Sequence, residues 1–383
     1  MNVVDTVKNA AFASAIQAAL NYMDKDPETN IPKVMSIVDK AAPEGWYESQ
    51  RNAIRQGIAE KGNWYQLAQK VWELDPGVRK TFFTNFIVNA SLKGSALQKE
   101  TEEKEDCNVP WAILLDPTSA CNLHCTGCWA AEYGHKLNLS LETIDDIVTQ
   151  GKKLGTYMYI YTGGEPMVRK KDIITICERH PDCEFLSFTN GTLIDEEFYD
   201  MIIEAGALFI WFFHYMPVGN DAAPELMPNP EQRKAVYERI RAFRSSKPIF
   251  SLDFQNDAEY IGGCIAGGRY YLHINAAGDV DPCVFIHYSN ANIHEVSLLD
   301  ALKSPIFQAY RKGQPFNDNM LRPCPMLENP ECLPKMVKET GAHSTDPQSP
   351  EDVQHLCDKC KPYAEAWTKM ADKLWEERQA AKK

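Results

Sequence analysis

The sequence has no uninterrupted apolar run close to the roughly 18 residues that a membrane-spanning helix needs. Its N-terminus also lacks a basic segment followed by an apolar core, because Asp5 precedes Lys8 in an alanine-rich, amphipathic stretch. These two absences predict a cytoplasmic protein without a transmembrane segment.

An excess of positive charge is also missing, since 40 Lys and Arg residues face 53 Asp and Glu residues and the net charge is -13. This balance argues against a broad phosphate-binding surface, so we expect no nucleic-acid partner. The 383 residues suffice for two or three domains at roughly 100–200 residues each. With 44% hydrophobic and 24% charged residues, the composition is that of a globular enzyme.

Cysteine is absent from the first 106 residues, although the whole chain contains 12. Without a secretory signal, these thiols are better suited to metal binding or catalysis than to a disulfide framework. The cysteine-free region has apolar residues at helical spacing in 54–72 and 81–95, and the charged run 99–106 predicts a solvated linker. No residue of this region suggests chemistry.

From Val109 onward, short apolar runs alternate with helical stretches, which predicts βαβ units around a parallel sheet. The predicted strands are 111–116, 156–162, 185–191, 207–216 and a short one near 248–254. The predicted helices are 140–155, 170–179, 195–205, 229–245 and the charged tail 362–383. Alternation around the turn AAGD predicts a hairpin over 269–287.

Three cysteines with the spacing CxxxCxxC follow the first predicted strand: Cys121, Cys125 and Cys128. Three thiolates on one short loop can bind three irons of a cubane cluster and leave the fourth iron without a protein ligand. A zinc site that includes His124 is the alternative, although structural zinc sites usually pair their cysteines as CxxC.

A second motif, GGEP, ends the second predicted strand with Gly163, Gly164 and Glu165. Adjacent glycines allow a ligand to approach the backbone closely, and ligands of α/β sheets bind at the carboxyl ends of strands. The third strand ends on the same rim with TNG at 189–191, which contains Asn190.

The combination of CxxxCxxC after the first strand and GGEP after the second resembles the radical SAM superfamily. The resemblance implies a [4Fe-4S] cluster on the three cysteines and S-adenosylmethionine (SAM) on the fourth iron. It implies that SAM is cleaved reductively to a 5′-deoxyadenosyl radical, with the electron supplied by a flavodoxin- or ferredoxin-type donor. The residues expected to contact SAM are Gly163, Gly164, Glu165 and, more loosely, Asn190 with its neighbours Thr189 and Gly191.

Two features depart from the family pattern. Gly127 stands before the third cysteine, where the family often has an aromatic residue on adenine, and Trp129 follows just beyond. Only about 15 residues separate the third strand from the run 207–216, where the family usually has further βα units. We therefore expect a shortened, partial (β/α) barrel.

Six further cysteines lie in the C-terminal part of the chain, and five of them are candidate cluster ligands. Cys264 and Cys283 flank the predicted hairpin, which resembles the opening of the auxiliary-cluster extension called SPASM or, in its shorter form, Twitch. The resemblance implies one auxiliary [4Fe-4S] cluster, since the dense CxxC run of a full SPASM domain is missing. The first choice of ligands is Cys264, Cys283, Cys357 and Cys360, with Cys324 as the competitor and zinc as the alternative metal.

The remaining candidate residues are ambiguous. His214 and Tyr215 follow a barrel-like strand and either reach the active-site mouth or pack among aromatic residues. A base for a substrate-derived radical could come from Asp253, Asp257 or Glu259. We interpret the other cysteines as packed thiols without a ligand role: Cys107, Cys177, Cys183 and Cys332.

The predicted organisation is a helical N-terminal region (1–106), a radical SAM core (107–258) and a hairpin-containing iron–sulfur domain with a terminal helix (259–383). The predicted fold class is α/β. For function, the favoured hypothesis is hydrogen abstraction during peptide or protein maturation, and the alternative is modification of a small molecule or lipid. A non-catalytic iron–sulfur or zinc protein would have no use for the GGEP motif.

Overall fold

The structure is a computed structural model of the chain. It describes the following residues: 14, 18–19, 21–42, 45, 48–73, 76–125, 127–130, 133–190, 192–193, 209–246 and 250–381.

The described part of the N-terminal region is helical, as predicted. Its elements are α1 (Pro27–Ala41), α2 (Glu48–Ala59), α3 (Asn63–Glu73), α4 (Pro76–Phe82), a π-helix (Phe83–Gly94) and α5 (Ser95–Glu105). The helix predicted over 54–72 is broken at Lys61, which has a left-handed backbone (φ 52°). A small separate core joins these helices through Met23, Met35, Ile58, Tyr65 and Leu92.

The charged run 99–106 is not a linker, because α5 continues through it to Glu105. The buried Gln98 amide holds this helix against the sheet by donating to the carbonyl of Gly155 at 2.9 Å. In the preceding π-helix, Asn85 likewise donates to the carbonyl of Cys183 at 2.8 Å. These contacts attach the N-terminal helices directly to the α/β region.

The main sheet has the strand order β3-β2-β1-β6-β7. Its strands are β1 (Ala112–Leu115), β2 (Met158–Tyr161), β3 (Glu184–Ser187), β6 (Tyr271–Ile274) and β7 (Val280–Asp281). The first four of these are parallel, and β7 is antiparallel to β6. The central strand β1 is buried along its whole length, as a continuous apolar run in a covered parallel sheet should be.

Helices α6 (Leu141–Leu154) and α7 (Lys170–Arg179) connect the first three strands at the positions predicted for them. The Ser140 hydroxyl caps α6 by accepting the Thr143 N–H at 3.0 Å, and Gly155 ends it in a left-handed conformation. Local sequence signals therefore set both ends of this helix.

A second parallel pair, β4 (Phe209–Phe212) and β5 (Phe250–Asp253), confirms the two strands predicted near 207–216 and 248–254. Helix α8 (Pro230–Ser246) connects them, as predicted for 229–245. The helix predicted over 195–205 lies outside the described residues. The described chain thus has the partial parallel sheets of a shortened α/β barrel.

The hairpin predicted over 269–287 is confirmed, but its first strand has a second role. Strand β6 pairs in parallel with β1, with Tyr271 opposite Ala112 and Ile274 opposite Leu115. A strand assigned from sequence to the C-terminal domain therefore completes the sheet of the core. The boundary between 258 and 259 stays a prediction.

The remaining α-helices and strands follow β5 in the chain. They are α9 (Ala258–Ile261), β8 (Tyr288–Ser289), α10 (Leu298–Leu302), α11 (Pro305–Gly313), α12 (Cys332–Thr340), β9 (His343–Ser344) and α13 (Val353–Ala381). The terminal helix α13 begins before the predicted start at 362 and buries Trp367, whose indole N–H donates to the carbonyl of Leu321 at 2.9 Å. No helix among the described residues is both long and apolar enough to cross a membrane.

Candidate active site

The first cysteine group lies on a loop at the carboxyl end of β1. Cys121 and Cys128 are half-buried and Cys125 is exposed. The Cys121 sulfur accepts the Leu123 N–H at 3.4 Å and the Asn190 amide at 3.8 Å. Three thiols on one open loop provide the donor set of a cluster with a free iron, so these residues fit the implied group by their chemistry. Nevertheless, no three His, Cys, Asp or Glu side chains among the described residues are gathered closely enough to hold a metal ion.

The glycines of GGEP bring two backbones together. A Cβ added to Gly164 would lie 2.3 Å from the carbonyl oxygen of Ala120, and Gly163 has a left-handed φ of 99°. The Gly164 N–H donates to the carbonyl of Thr118 at 3.1 Å, and the Glu165 N–H donates to that of Ala120 at 2.8 Å. We predicted that these glycines admit a ligand, whereas in the structure they admit the chain segment that leads into Cys121.

Glu165 links the ends of β2 and β3. Its carboxylate is 1% exposed and accepts the Thr189 hydroxyl and the Asn190 N–H, both at 2.7 Å. The side-chain amide of Asn190 in turn donates to the Asn122 carbonyl oxygen at 3.0 Å. The structure thus joins the predicted residues Glu165 and Asn190 to the cysteine loop, while the predicted Gly191 lies outside the described residues.

The space beside Gly127 is filled by an aromatic ring from another segment. Gly127 has a φ of 71°, and a Cβ added there would lie 2.5 Å from the ring of Tyr215. The Tyr215 hydroxyl is held by the Ala223 N–H at 2.7 Å. Trp129 instead packs edge-to-face against His273, with ring centroids 5.7 Å apart. Tyr215, rather than Trp129, is the aromatic residue next to the position that precedes Cys128.

A buried histidine lies between two carboxylates beneath the cysteine loop. His273 is fully buried, with Nε2 3.0 Å from Asp116 and Nδ1 3.3 Å from Asp281. Burial alone lowers the pKa of His273, but the two carboxylates outweigh it and raise the pKa to about 9. Sequence reasoning missed this cluster, although the alternation in YLHI and the Asp that follows WAILL place both groups in the interior.

A cavity of about 590 Å³ lies between the first cysteine loop and three cysteines of the second group. Gly127 and Trp129 border it on the side of the first loop, and Cys264, Cys283 and Cys324 border it on the other. Much of its wall is aromatic and includes Phe188, Trp211, Phe213, Phe254 and Phe285. Its size and apolar wall are typical of a site for a small group or side chain.

Three of the C-terminal cysteines are enclosed more deeply than any of the first group. Cys283, Cys357 and Cys360 are at most 7% exposed, and the Cys283 sulfur lies 2.7 Å from the Tyr271 hydroxyl. Burial raises the pKa of Cys283 to about 11 and that of Cys360 to about 12. Thiols in such surroundings stay protonated at neutral pH unless a metal replaces the proton.

Cys324, the competitor in the predicted ligand set, is close to Cys264 and Cys283. Burial, the carboxylate of Glu328 and these two thiols together hold the pKa of Cys324 well above its usual range. Cys357 and Cys360 lie one helical turn apart on α13 and do not line the cavity. Burial raises the pKa of Tyr310, and four of these thiols add to the effect: Cys264, Cys283, Cys324 and Cys357.

A buried ion pair holds the Cys324 segment in place. The Arg233 guanidinium is fully buried, donates to Glu328 at 2.6 Å and to the Tyr363 hydroxyl at 2.8 Å, and stacks on Trp367. The other oxygen of Glu328 accepts the Cys324 N–H at 2.9 Å. No sequence signal marked this pair, because charged residues in a helix usually face solvent.

The three predicted candidate bases all have partners in the chain. Asp253 accepts the Asn256 amide at 2.9 Å and Asp257 pairs with Arg244 at 2.6 Å. Glu259 pairs with Arg241 and with Arg378. Asp253 and Asp257 line the cavity, and Glu259 does not.

The cysteines interpreted as packed thiols lie outside the cavity wall: Cys107, Cys177, Cys183 and Cys332. Burial raises the pKa of Cys177 to about 11 and that of Cys183 to about 12. His214, by contrast, borders the cavity.

Comparison with known families matches two models. The model of the radical SAM superfamily matches residues 115–258, and that of the SPASM iron–sulfur cluster-binding domain matches residues 264–328. The chain therefore carries a radical SAM domain and, after it, a SPASM domain. The radical SAM domain binds a [4Fe-4S] cluster with SAM, and the SPASM domain binds auxiliary iron–sulfur clusters.

Two curated relatives match short stretches. An uncharacterized protein of Archaeoglobus fulgidus is 31% identical over 97 residues, which cover 24% of this chain and 23% of that protein. The GTP 3′,8-cyclase of Alkaliphilus oremlandii is 34% identical over 100 residues, which cover 24% of this chain and 31% of that protein. The matched part spans less than a third of either relative.

Several solved structures are distantly similar. Streptococcus suis SuiB bound to precursor peptide SuiA is 15% identical, with 66% of this chain and 76% of that chain covered and a TM-score of 0.41. Native anSMEcpe with bound AdoMet and Cp18Cys peptide is 13% identical, with 70% of this chain and 99% of that chain covered and a TM-score of 0.37. BtrN in complex with AdoMet and 2-DOIA is 17% identical, with 53% of this chain and 85% of that chain covered and a TM-score of 0.34. Likenesses of this size carry no information about the substrate.

Proposed function

We propose that the protein cleaves SAM reductively and abstracts a hydrogen atom from a substrate held in the cavity between the two cysteine groups. The observation that carries this proposal is the cavity itself, which extends from Gly127 on the first cysteine loop to Cys264 and Cys283. When bound, the cluster and SAM supply the 5′-deoxyadenosyl radical. The chain supplies the binding space and excludes water with its aromatic wall.

The residues proposed to hold the catalytic cluster are Cys121, Cys125 and Cys128. Glu165 and Asn190 hold the strand ends against this loop through the hydrogen bonds described above. Gly163 and Gly164 allow the close contact of the two backbones. In this proposal the GGEP motif shapes the SAM site by positioning the loop, in addition to any contact of its own with SAM.

For the auxiliary [4Fe-4S] cluster we propose Cys264, Cys283 and Cys324 with one thiol from Cys357 or Cys360. The support is that the first three border the same cavity, whereas the two α13 thiols do not. This set differs from the first choice made from sequence, which left Cys324 out. Iron counts of Cys324→Ala, Cys357→Ala and Cys360→Ala variants test it: the two true ligands among these three lose the auxiliary irons, and the third variant keeps them.

As substrate we propose an apolar side chain of a peptide or protein, with a small molecule or lipid as the second candidate. The apolar wall of the cavity accepts either. A flavodoxin- or ferredoxin-type electron donor and a cytoplasmic location complete the proposal. Deuterium transfer into 5′-deoxyadenosine separates the substrate classes when deuterated peptides, fatty acids and nucleotides are supplied in parallel.

The decisive test is anaerobic reconstitution followed by reduction in the presence of SAM. The protein should form 5′-deoxyadenosine, detected by liquid chromatography and mass spectrometry. A variant with Cys121, Cys125 and Cys128 all changed to Ala should form none and retain about four irons per chain, the content of one cubane. A Cys332→Ala control should behave as the unchanged protein. Full iron loading without 5′-deoxyadenosine would sink the proposal.

A further inference from the structure

The apolar cavity contains an imidazole that its own chain leaves without a partner. Neither ring nitrogen of His214 has a hydrogen-bond partner among the described residues, although both are shielded from solvent. Buried polar atoms in folded proteins are hydrogen-bonded in roughly nine cases out of ten or more. As the ring is placed, neither nitrogen is accessible to a water-sized group, so a partner in the cavity would bond it after a small rotation of the ring.

The backbone around His214 is firmly held, which sets the position of the ring. The His214 N–H donates to the side-chain oxygen of Gln255 at 3.1 Å, and the Gln255 carbonyl accepts from the buried Arg233 at 3.3 Å. On one side Phe213 packs against Phe254 with centroids 5.0 Å apart, and on the other Tyr215 fills the space beside Gly127. The ring thus stands between the aromatic wall and the first cysteine loop.

The imidazole is neutral in this position. Burial, and to a lesser degree the Arg233 guanidinium, lowers the pKa of His214 to about 3. A neutral imidazole has one N–H donor and one acceptor nitrogen. It can therefore donate to a carbonyl or accept from a hydroxyl or amide without placing a charge in the apolar cavity.

We propose that His214 is a substrate-binding residue, which hydrogen-bonds a single polar atom of an otherwise apolar or aromatic substrate group in this cavity. The proposal rests on the proposed function, since it places the substrate in the same space. It narrows the substrate to groups such as a hydroxyl-bearing ring, and it disfavours pure hydrocarbon groups, which would leave the imidazole unpaired.

The test uses two probes of equal shape, p-cresol and p-xylene, which differ by a hydroxyl in place of a methyl. Their binding to the anaerobically reconstituted full chain is followed by tryptophan fluorescence, because Trp129 and Trp211 line the cavity. Neither SAM nor a reductant is present, so the outcome does not depend on whether 5′-deoxyadenosine forms. The quantity compared between variants is the ratio of the two affinities, in favour of p-cresol.

In His214→Phe this ratio should fall roughly 2- to 10-fold, the usual effect of one hydrogen bond on affinity. His214→Met is a second apolar variant if the Phe side chain disturbs packing, and His214→Gln should restore part of the ratio because it keeps a donor and an acceptor. The control is His343→Phe, at a half-exposed strand far in sequence from the cavity wall, which should keep the ratio unchanged.

Two results would overturn the proposal. One is an unchanged ratio in both His214→Phe and His214→Met, in variants whose iron content and circular dichroism match the unchanged protein. The other is a failure of both probes to bind the unchanged protein at saturating concentration, since this would contradict an accessible apolar site.

Discussion

The two cysteine groups of this protein lie in opposite surroundings. Cys125 of the first group is exposed on a loop at the rim of the sheet, while Cys357 and Cys360 of the second are 0% exposed on the buried face of α13. A cluster on the open loop keeps a side accessible to another ligand, whereas a cluster in the closed core is surrounded by protein. The same residue type is therefore accessible to a ligand in one region and packed into the core in the other.

The two regions are also held in place by different kinds of interaction. The first loop is held by backbone hydrogen bonds to the GGEP segment, which position it without covering it. The second region is joined by side chains from distant parts of the chain, of which Arg233 and Glu328 form the clearest case. Changes in the two regions should accordingly affect different properties.

The largest expected effect comes from removing one proposed ligand of each group. Cys283→Ala should lower the free energy of unfolding of the reconstituted protein by ~5 kcal/mol or more, because structural metals in small domains supply roughly 10–16 kcal/mol. Cys125→Ala should abolish formation of 5′-deoxyadenosine and change stability by only about 0.5 kcal/mol. Anaerobic thermal unfolding and product analysis measure both. Equal losses of stability in the two variants would contradict the difference proposed between the two cysteine groups.

The next effect concerns the buried ion pair. Arg233→Met leaves the Glu328 carboxylate buried without a partner, which should cost about 3–5 kcal/mol of unfolding free energy in urea. The double change Arg233→Met and Glu328→Leu should recover most of this loss. The control is Lys373→Ala in the exposed pair with Glu377, expected to cost at most ~0.5 kcal/mol. If the double variant is no better than the single one, the loss comes from packing and not from the unpaired charge.

A smaller effect is expected at the GGEP contact. Gly164→Ala places a Cβ 2.3 Å from the Ala120 carbonyl oxygen, so the two backbones must separate. The cost should be roughly 1–3 kcal/mol, together with loss of SAM cleavage, since the cysteine loop moves. Gly62→Ala is the control, because its added Cβ stays 3.3 Å from the nearest atom. An active Gly164→Ala enzyme would show that the contact does not position the loop.

The pH dependence of stability tests the cluster around His273. Because the folded-state pKa of His273 is raised to about 9, its stabilising effect is complete below pH ~6.5 and is lost as the pH rises through 9. Burial raises the pKa of Asp281 to about 6, so that group titrates below this window. The stability advantage of the unchanged protein over His273→Asn should shrink by roughly 2–3 kcal/mol between pH 6.5 and 9. An advantage that grows with pH would contradict the ion pairing.

The smallest expected effect is at a helix cap. Ser140→Ala removes the hydroxyl that accepts the Thr143 N–H, which should cost about 1 kcal/mol. Thr175→Ala, in the middle of α7, is a matched control because its exposed hydroxyl caps no helix end. Urea unfolding distinguishes the two, and equal costs would show that the cap does not matter.

Local patterns were sufficient for much of the fold. Alternation of buried strands and helices predicted β1, α6, β2 and α7, because each depends on apolar periodicity and capping within a short segment. The prediction of a linker over the charged run 99–106 was wrong, because a contact of Gln98 with the distant Gly155 holds this segment as a helix. Residues 195–205 lie outside the described part, so that helix stays a prediction.

Some residues of the candidate site could be predicted from local sequence patterns, and others could not. CxxxCxxC and GGEP could be recognised because their residues are close in sequence. Glu165 was named as a candidate site residue, but its contacts with Thr189 and Asn190 were not foreseen. Arg233, Glu328 and His273 carried no signal, since each depends on partners more than 90 residues away or on the register of a strand.

By itself, the sequence determined the α/β class, the helix boundaries around the first strands and the identity of the cysteines on the first loop. These properties depend on local periodicity, capping and spacing, which short segments carry on their own. Only the tertiary structure decided that β6 pairs with β1, that Cys324 joins Cys264 and Cys283, and that His214 faces a cavity. The physical reason is that burial and hydrogen bonding at these positions arise when distant segments pack together, and no short segment contains both partners.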